Sequence, residues 1–175
     1  MKQKRLVVSD SSSLILLAKA DMLRETGKIF RIIIPQKVFE ETVVKGKELK
    51  KEDAFRIETC VGKGIEIHGI KESPKVKELA EQLGIGKGEE EAFHLYFNKN
   101  ADLLLTDDRQ AIKLANLLGI NWSGVPNIVL LLYKMGLSDH DASLEKMSLL
   151  EKYGRYKLEY IVEMKKKLGE KHAKK

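Results

Sequence analysis

The chain has 175 residues and a net charge of +6, with 43% apolar and 33% charged residues. That is long enough for one domain with a substantial core, and the composition excludes a disordered chain. The single cysteine, Cys60, excludes an internal disulfide and a zinc site built from cysteines.

A strand is predicted over 6–10, and a helix then runs from Ser13 to Arg24 with Leu14, Leu17 and Ala18 at helical spacing. A second strand, 31–34, stops at Pro35, which suits the first turn of a helix running through Val44 before Gly46 interrupts it. A polar helix over 48–61 ends at Gly62-Lys63-Gly64, ahead of a short strand, 65–67. Ser73 and Pro74 open a helix to Leu83. Gly84, Gly86 and Gly88 form a loop, and helix 89–99 follows. Strand 102–106, a helix from Arg109 to Leu118 closed by Gly119, and a short strand over 120–122 come next. Helices over 125–135, 139–152 and 156–168 complete the chain. Strands alternating with helices imply right-handed crossovers and a mainly parallel sheet covered on both faces, a three-layer α/β/α fold. The apolar stripe Leu149, Leu150, Tyr153, Tyr156, Tyr160, Ile161 and Met164 is expected to pack on the domain, with a dimer face as the alternative. No apolar run approaches a membrane span, and the run behind the basic N-terminus breaks at Ser9-Asp10, so a soluble, cytoplasmic protein is expected.

The carboxylates are the most informative feature. Asp10 ends the first apolar strand, and Glu41 follows the second after a short helical stretch. Glu89 and Glu91 open a helix, and Asp107 and Asp108 end the strand Leu103-Leu104-Leu105-Thr106. In an open α/β sheet ligands bind where the strands stop, and acids gathered there repel one another unless a cation is present. The spacing of His68, His94, His140 and His172 matches no metal motif, and surface or half-buried positions are expected for them. Oxygen ligands favour Mg²⁺ or Mn²⁺. On a helical wheel Glu89 lies amid the apolar face of Ala92, Phe93, Tyr96 and Phe97, Glu91 lies at its margin, and Glu90 is read as solvated.

Other chemistries are poorly supplied. The glycine loop lacks the ending of a phosphate loop and follows a helix, no nucleophile elbow occurs, and no histidine pairs with Ser11, Ser12 or Ser13. Asp10-Ser11-Ser12 lacks both the paired acid of a receiver domain and the second aspartate of a haloacid-dehalogenase-type phosphatase. Lys45 to Lys51 and the tail (Lys165, Lys166, Lys167, Lys171, His172, Lys174, Lys175) read as solvated faces, or beside an acidic site as phosphate-tracking patches. Trp122 reads as core, with base stacking as the alternative. The surplus of Lys and Glu matches a bias of hyperthermophile proteins.

The run Val7-Val8-Ser9-Asp10-Ser11-Ser12-Ser13-Leu14-Ile15 resembles the opening of PIN-domain ribonucleases. So, in the same order, do Pro35 through Glu41, Gly86 through Ala92, and Leu104-Leu105-Thr106-Asp107-Asp108-Arg109. Leu118 through Gly124 resembles the continuation in a prokaryotic subgroup related to VapC toxins. The resemblance divides the chain into a PIN-like nuclease domain, 1–137, and a C-terminal helical extension, 138–175. It implies an endoribonuclease that uses one or two divalent ions, Mg²⁺ or Mn²⁺, and leaves a 3′-hydroxyl and a 5′-phosphate.

Carried over residue by residue, Asp10 is the first acid, and Glu41 is preferred to Glu40 because it lies six positions beyond Pro35. The third acid is Glu91 by the acid-alanine pair or Glu89 by its place on the wheel, and both are kept. Asp108 matches the last acid, Asp107 is a second ligand or orients one, Ser11 and Thr106 support the site, and Arg109 meets a phosphate or the adjacent aspartates. The resemblance also implies a role as toxin with an antitoxin partner, as an RNA-processing nuclease without one, or as a non-catalytic RNA- or protein-binding module. A homodimer is expected.

Overall fold

A computed structural model of the chain describes residues 4–170. The tail residues Lys171, His172, Lys174 and Lys175 of the basic run lie outside the described residues. Five parallel strands form one sheet: β1 (Arg5–Ser9), β2 (Phe30–Pro35), β3 (Ile65–His68), β4 (Leu103–Leu105) and β5 (Trp122–Ser123), in the order β3-β2-β1-β4-β5. Val8 is paired with Ile33 on one side and Leu104 on the other. The chain first builds outward from β1 through β2 to β3, then returns to β4 on the opposite side, so the strand order reverses between β1 and β4. That switch point is where a parallel sheet leaves a crevice at its carboxyl edge.

Alternation along the strands explains the three layers. Val7, Ile32, Ile34 and Leu105 face one side, and Val8, Ile33 and Leu104 face the other. The first set packs against α1 (Ser11–Lys19), α9 (Val125–Lys134), α10 (His140–Tyr153) and α11 (Leu158–Gly169), which contribute Leu14, Leu17, Ile128, Leu150 and Ile161. The second packs against α6 (Pro74–Leu83), α7 (Lys87–Lys99) and α8 (Arg109–Leu117), which contribute Val76, Phe93, Leu95 and Leu114. The α/β/α fold expected from the sequence is thus the observed one. Within the C-terminal stripe Leu150, Ile161 and Met164 are buried in the first core layer, Leu149, Tyr156 and Tyr160 pack against it, and Tyr153 stays exposed. Among the described residues no helix is long and apolar enough to cross a membrane.

Several boundaries differ from expectation: α7 starts at Lys87 and takes in Gly88, expected in the loop, the last strand is Trp122–Ser123 rather than 120–122, and two helices differ more. The helix predicted over 13–24 is two helices, α1 and α2 (Leu23–Ile29), because Asp21 adopts a left-handed conformation with φ of 51°. Gly46, expected to interrupt a helix, does not. α3 (Gln36–Phe39) runs through a π-helical turn, Glu40–Val44, into α4 (Lys45–Glu48), and the next helix, α5, starts only at Glu52 (Glu52–Cys60). The glycine answers to packing: a Cβ at position 46 would stand 2.6 Å from the Cβ of Ala54 on α5. Helix propensity alone favours alanine there by about 1 kcal/mol, whereas overpacking costs about 1–3 kcal/mol. Gly46→Ala is therefore expected to lower the urea midpoint; a raised midpoint would show that α4 and α5 separate without cost.

The lysine-rich stretch behaves as a solvated face, with Lys47 paired to Glu58 at 2.6 Å. On α11, Lys165 and Lys167 are matched by Glu151 and Glu163.

A carboxylate cluster at the switch point

The acids arrive at the crevice because strands stop and helices start there. Asp10 follows β1 and caps α1, its Oδ1 accepting from the Ser13 amide at 2.8 Å. Asp108 caps α8, accepting from the Gln110 and Ala111 amides at 2.8 and 2.9 Å. Asp107 accepts from the Val125 amide at 3.2 Å, at the first residue of α9. Three helix N-termini thus face these carboxylates, and their partial positive charges favour the ionised forms. This N-cap role leaves the other oxygen of Asp10 available.

The three consecutive serines hold three different acids. Ser11 donates to Glu41 Oε2 at 2.6 Å, Ser12 to Asp10 Oδ1 at 3.1 Å, and Ser13 to Asp107 Oδ2 at 2.9 Å. Glu41 lies in the π-helical turn, a geometry found often at functional sites. Two glycines make room. A Cβ at Gly88 would collide with the Glu41 carboxylate, and one at Gly124 would stand 2.6 Å from Asp107 Oδ1.

Burial and mutual repulsion set the protonation of the cluster. Asp10 is 1% exposed, and burial, with the charges of Asp107 and Glu89 adding to it, pushes its carboxyl up to about 7; the Thr106 hydroxyl and the Ser13 amide oppose the rise. Glu89 is raised chiefly by burial and then by the charges of Glu41 and Asp108, against its own backbone amide. Asp107 is raised by burial, opposed by Tyr156, Val125 and Ser13. Asp10, Glu41, Glu89, Asp107 and Asp108 therefore form one electrostatically coupled group.

Glu91 stands apart, its Oε2 accepting from the Lys37 amide at 3.2 Å at the start of α3. Glu40 pairs with Lys37 at 3.8 Å. Glu90 is corrected from solvated to buried: it is 6% exposed, paired with Lys87 at 2.9 Å and 3.4 Å from His94 Nε2. His94 is fully buried rather than half-buried, its Nδ1 accepting from the Ser73 amide at 3.1 Å. Phe97, placed on the apolar face by the wheel, is 41% exposed. Thr106 is buried and accepts from the Asp108 amide at 3.3 Å. Arg109 is exposed and makes no ion pair among the described residues.

The site also uses residues the sequence did not single out for it. Ser12 and Ser13 could have been found from their place at an N-terminus beside Asp10. Gly124 and Tyr156 carry no local signal, because they meet Asp107 only through the fold.

A donor set of carboxylates and hydroxyls suits a hard divalent cation. The buried Asp10 Oδ2, which has no hydrogen-bond partner, is the atom most in need of one. In the present rotamers no three His, Cys, Asp or Glu side chains among the described residues stand close enough to hold an ion. By their chemistry these residues fit such an ion.

A parallel sheet with acids at its switch point defines an α/β protein with an anionic site at its carboxyl edge. A PIN-domain family model matches residues 6–170, and the chain belongs to that family, whose members are generally nucleases. The protein PAE2754 from Pyrobaculum aerophilum is similar in structure, with 15% identity over 75% of this chain and 99% of that one and a TM-score of 0.52, a likeness of fold. A domain of a functionally unknown protein from Methanocaldococcus jannaschii DSM 2661 matches with 22% identity over 69% of this chain and 90% of that one, at a TM-score of 0.43. No curated protein matches the chain.

Proposed function

We propose that the protein is a divalent-metal-dependent endoribonuclease acting through Asp10, Glu41, Glu89 and Asp108, with Asp107 as an additional ligand or orienting group. The observation that carries the reading is the buried, unpartnered Oδ2 of Asp10 within a coupled group of carboxylates at the switch point. Bound there, Mg²⁺ or Mn²⁺ would polarise the scissile phosphodiester and lower the pKa of an attacking water. Ser11, Ser12 and Ser13 each hold one carboxylate of the group, Glu41, Asp10 and Asp107, by a hydrogen bond. Thr106 stands beside Asp10 and opposes the rise of its pKa. Arg109, exposed at the edge of the cleft beside Asp107, would meet a backbone phosphate.

A toxin role and a processing role share this chemistry and differ in the partner. A toxin is inhibited by a cognate protein that fills the groove over the acids, whereas a processing nuclease has no such inhibitor. The test is cleavage of a labelled mixed-sequence RNA by the full chain with Mn²⁺, Mg²⁺ or EDTA. Cutting that requires the ion and yields 5′-phosphate ends is expected. A folded chain that cuts under none of these conditions would leave a non-catalytic binding module as the better reading.

A further inference from the structure

Two clefts meet at Asp107, and the short connection between α10 and α11 divides them. One, of 370 Å³, opens over Ser12, Lys19, Glu89 and Asp108. The other, of 440 Å³, is lined by Arg109, Trp122, Lys157 and Tyr160 and is floored in part by Ile112. Asp107, Arg155 and Tyr156 line both. The two differ in charge: Lys19 and Arg155 stand against three carboxylates in the first, whereas Arg109, Arg155 and Lys157 stand against Asp107 alone in the second. Among the described residues, Arg109, Arg155 and Lys157 make no ion pair, although other Lys and Arg side chains do. The second cleft carries Trp122 and Tyr160 beside the shared Tyr156, whereas the first carries Tyr153 beside it. Tyr156 and Tyr160 lie 6.0 Å apart in a tilted pair, and the Trp122 indole is held by its N–H on Asn116 Oδ1 at 2.9 Å.

We infer that the cleft between Trp122 and the Tyr156–Tyr160 pair is a nucleotide subsite, taking the base of a single-stranded nucleic acid beside the reacting phosphate while Arg155, Arg109 and Lys157 hold its backbone. This rests on the nucleic-acid reading above and adds the residues that choose and seat the strand. Stacking on aromatic faces tolerates any base, and cations alongside track the phosphates. The volume is that of a ligand-sized cleft, about 300–1,000 Å³. Arg109 and Lys157 lie one cleft away from most of the acids and Arg155 stands between the two clefts, so a polyanion can be drawn to Asp107 despite the charge of the cluster. The C-terminal helices are thereby part of the binding surface. Gly154 allows this closure, because any side chain there would collide with the Tyr156 ring.

Trp122 is the chain's one tryptophan, which makes the test direct. The full chain in EDTA is titrated with a short mixed-sequence RNA and, separately, with inorganic polyphosphate, while indole emission is followed. RNA is expected to quench the emission and polyphosphate to leave it unchanged. Tyr160→Leu is expected to weaken RNA binding about tenfold and leave polyphosphate binding alone, and Tyr160→Phe to restore RNA binding. The exposed substitution Arg155→Ala is expected to weaken both ligands and to reduce the salt slope of RNA binding by about one. RNA that binds with unchanged emission and equal affinity for Tyr160→Leu would overturn the subsite, as would equal quenching by polyphosphate. Metal-dependent cutting without quenching removes the subsite and keeps the nuclease; quenching without cutting does the reverse. A folded chain that binds no RNA overturns both.

Discussion

Asp10→Asn is expected to abolish metal-dependent cleavage and at the same time to make the metal-free protein more stable near neutral pH. The first effect follows from removing a carboxylate oxygen that stands buried without a partner where the cation would sit. A loss of about a thousandfold or more corresponds to about 4 kcal/mol of transition-state stabilisation, within what one charged ligand supplies.

The second effect follows from linkage. The Asp10 carboxyl is pushed up from 3.8 to about 7, chiefly by burial. An unfolded chain releases this proton near pH 4 and the folded chain only near pH 7, so between those values the folded state holds more protons. Stability therefore falls as pH rises through that window, and above it the full cost is about 4 kcal/mol. Glu89 and Asp107 are raised as well and act with the same sign. Asparagine retains the cap on α1 and removes the charge. Urea unfolding in EDTA at about pH 5 and about pH 8 should show wild type losing stability at the higher pH and the variant losing much less. Wild type equally stable at both, or a variant with the same dependence, would show that Asp10 is solvated and charged throughout. Cleavage retained in the variant would remove Asp10 from the chemistry.

Glu89→Gln and Glu91→Gln should separate cleanly. Glu89 is coupled to Glu41, Asp108 and Asp10, so its amide variant is expected to lose cleavage about a hundredfold or more. Glu91 instead accepts from the Lys37 amide where α3 begins. Its variant is expected to keep cleavage within about threefold and to lose about 1 kcal/mol of stability, the worth of one hydrogen bond to a charged group that glutamine in part replaces. The decisive readings are the cleavage rate with saturating Mn²⁺ and the urea midpoint of each variant. Reversed results would move Glu91 into the cluster and give Glu89 the structural part.

That pair also marks how far the sequence carries. The acid-alanine pattern points to Glu91 and the helical wheel to Glu89; both are statements about α7 alone. Which carboxylate meets Glu41 depends on how α7 lies against α3 and the sheet, and Gly88 sets that approach by leaving room for the Glu41 carboxylate. The wheel misplaced Glu90, and the histidine spacing misplaced His94, for a related reason. α7 is packed by α3, α6 and the sheet together, so it has more than one buried face, and a paired Glu90 is buried where a single apolar stripe would leave it in water.

By itself the sequence determined the order of strands and helices, the parallel α/β class and the acids at the strand ends. Each of these is written in short-range spacing: apolar runs, caps, and breaks at glycine and proline. Only the tertiary structure decided which acids share one field, that three serines hold three of them, and that Tyr156, remote in the chain, lines the same clefts as Asp107. Those relations join residues far apart along the backbone, where direction is set by packing between layers and no local pattern encodes it.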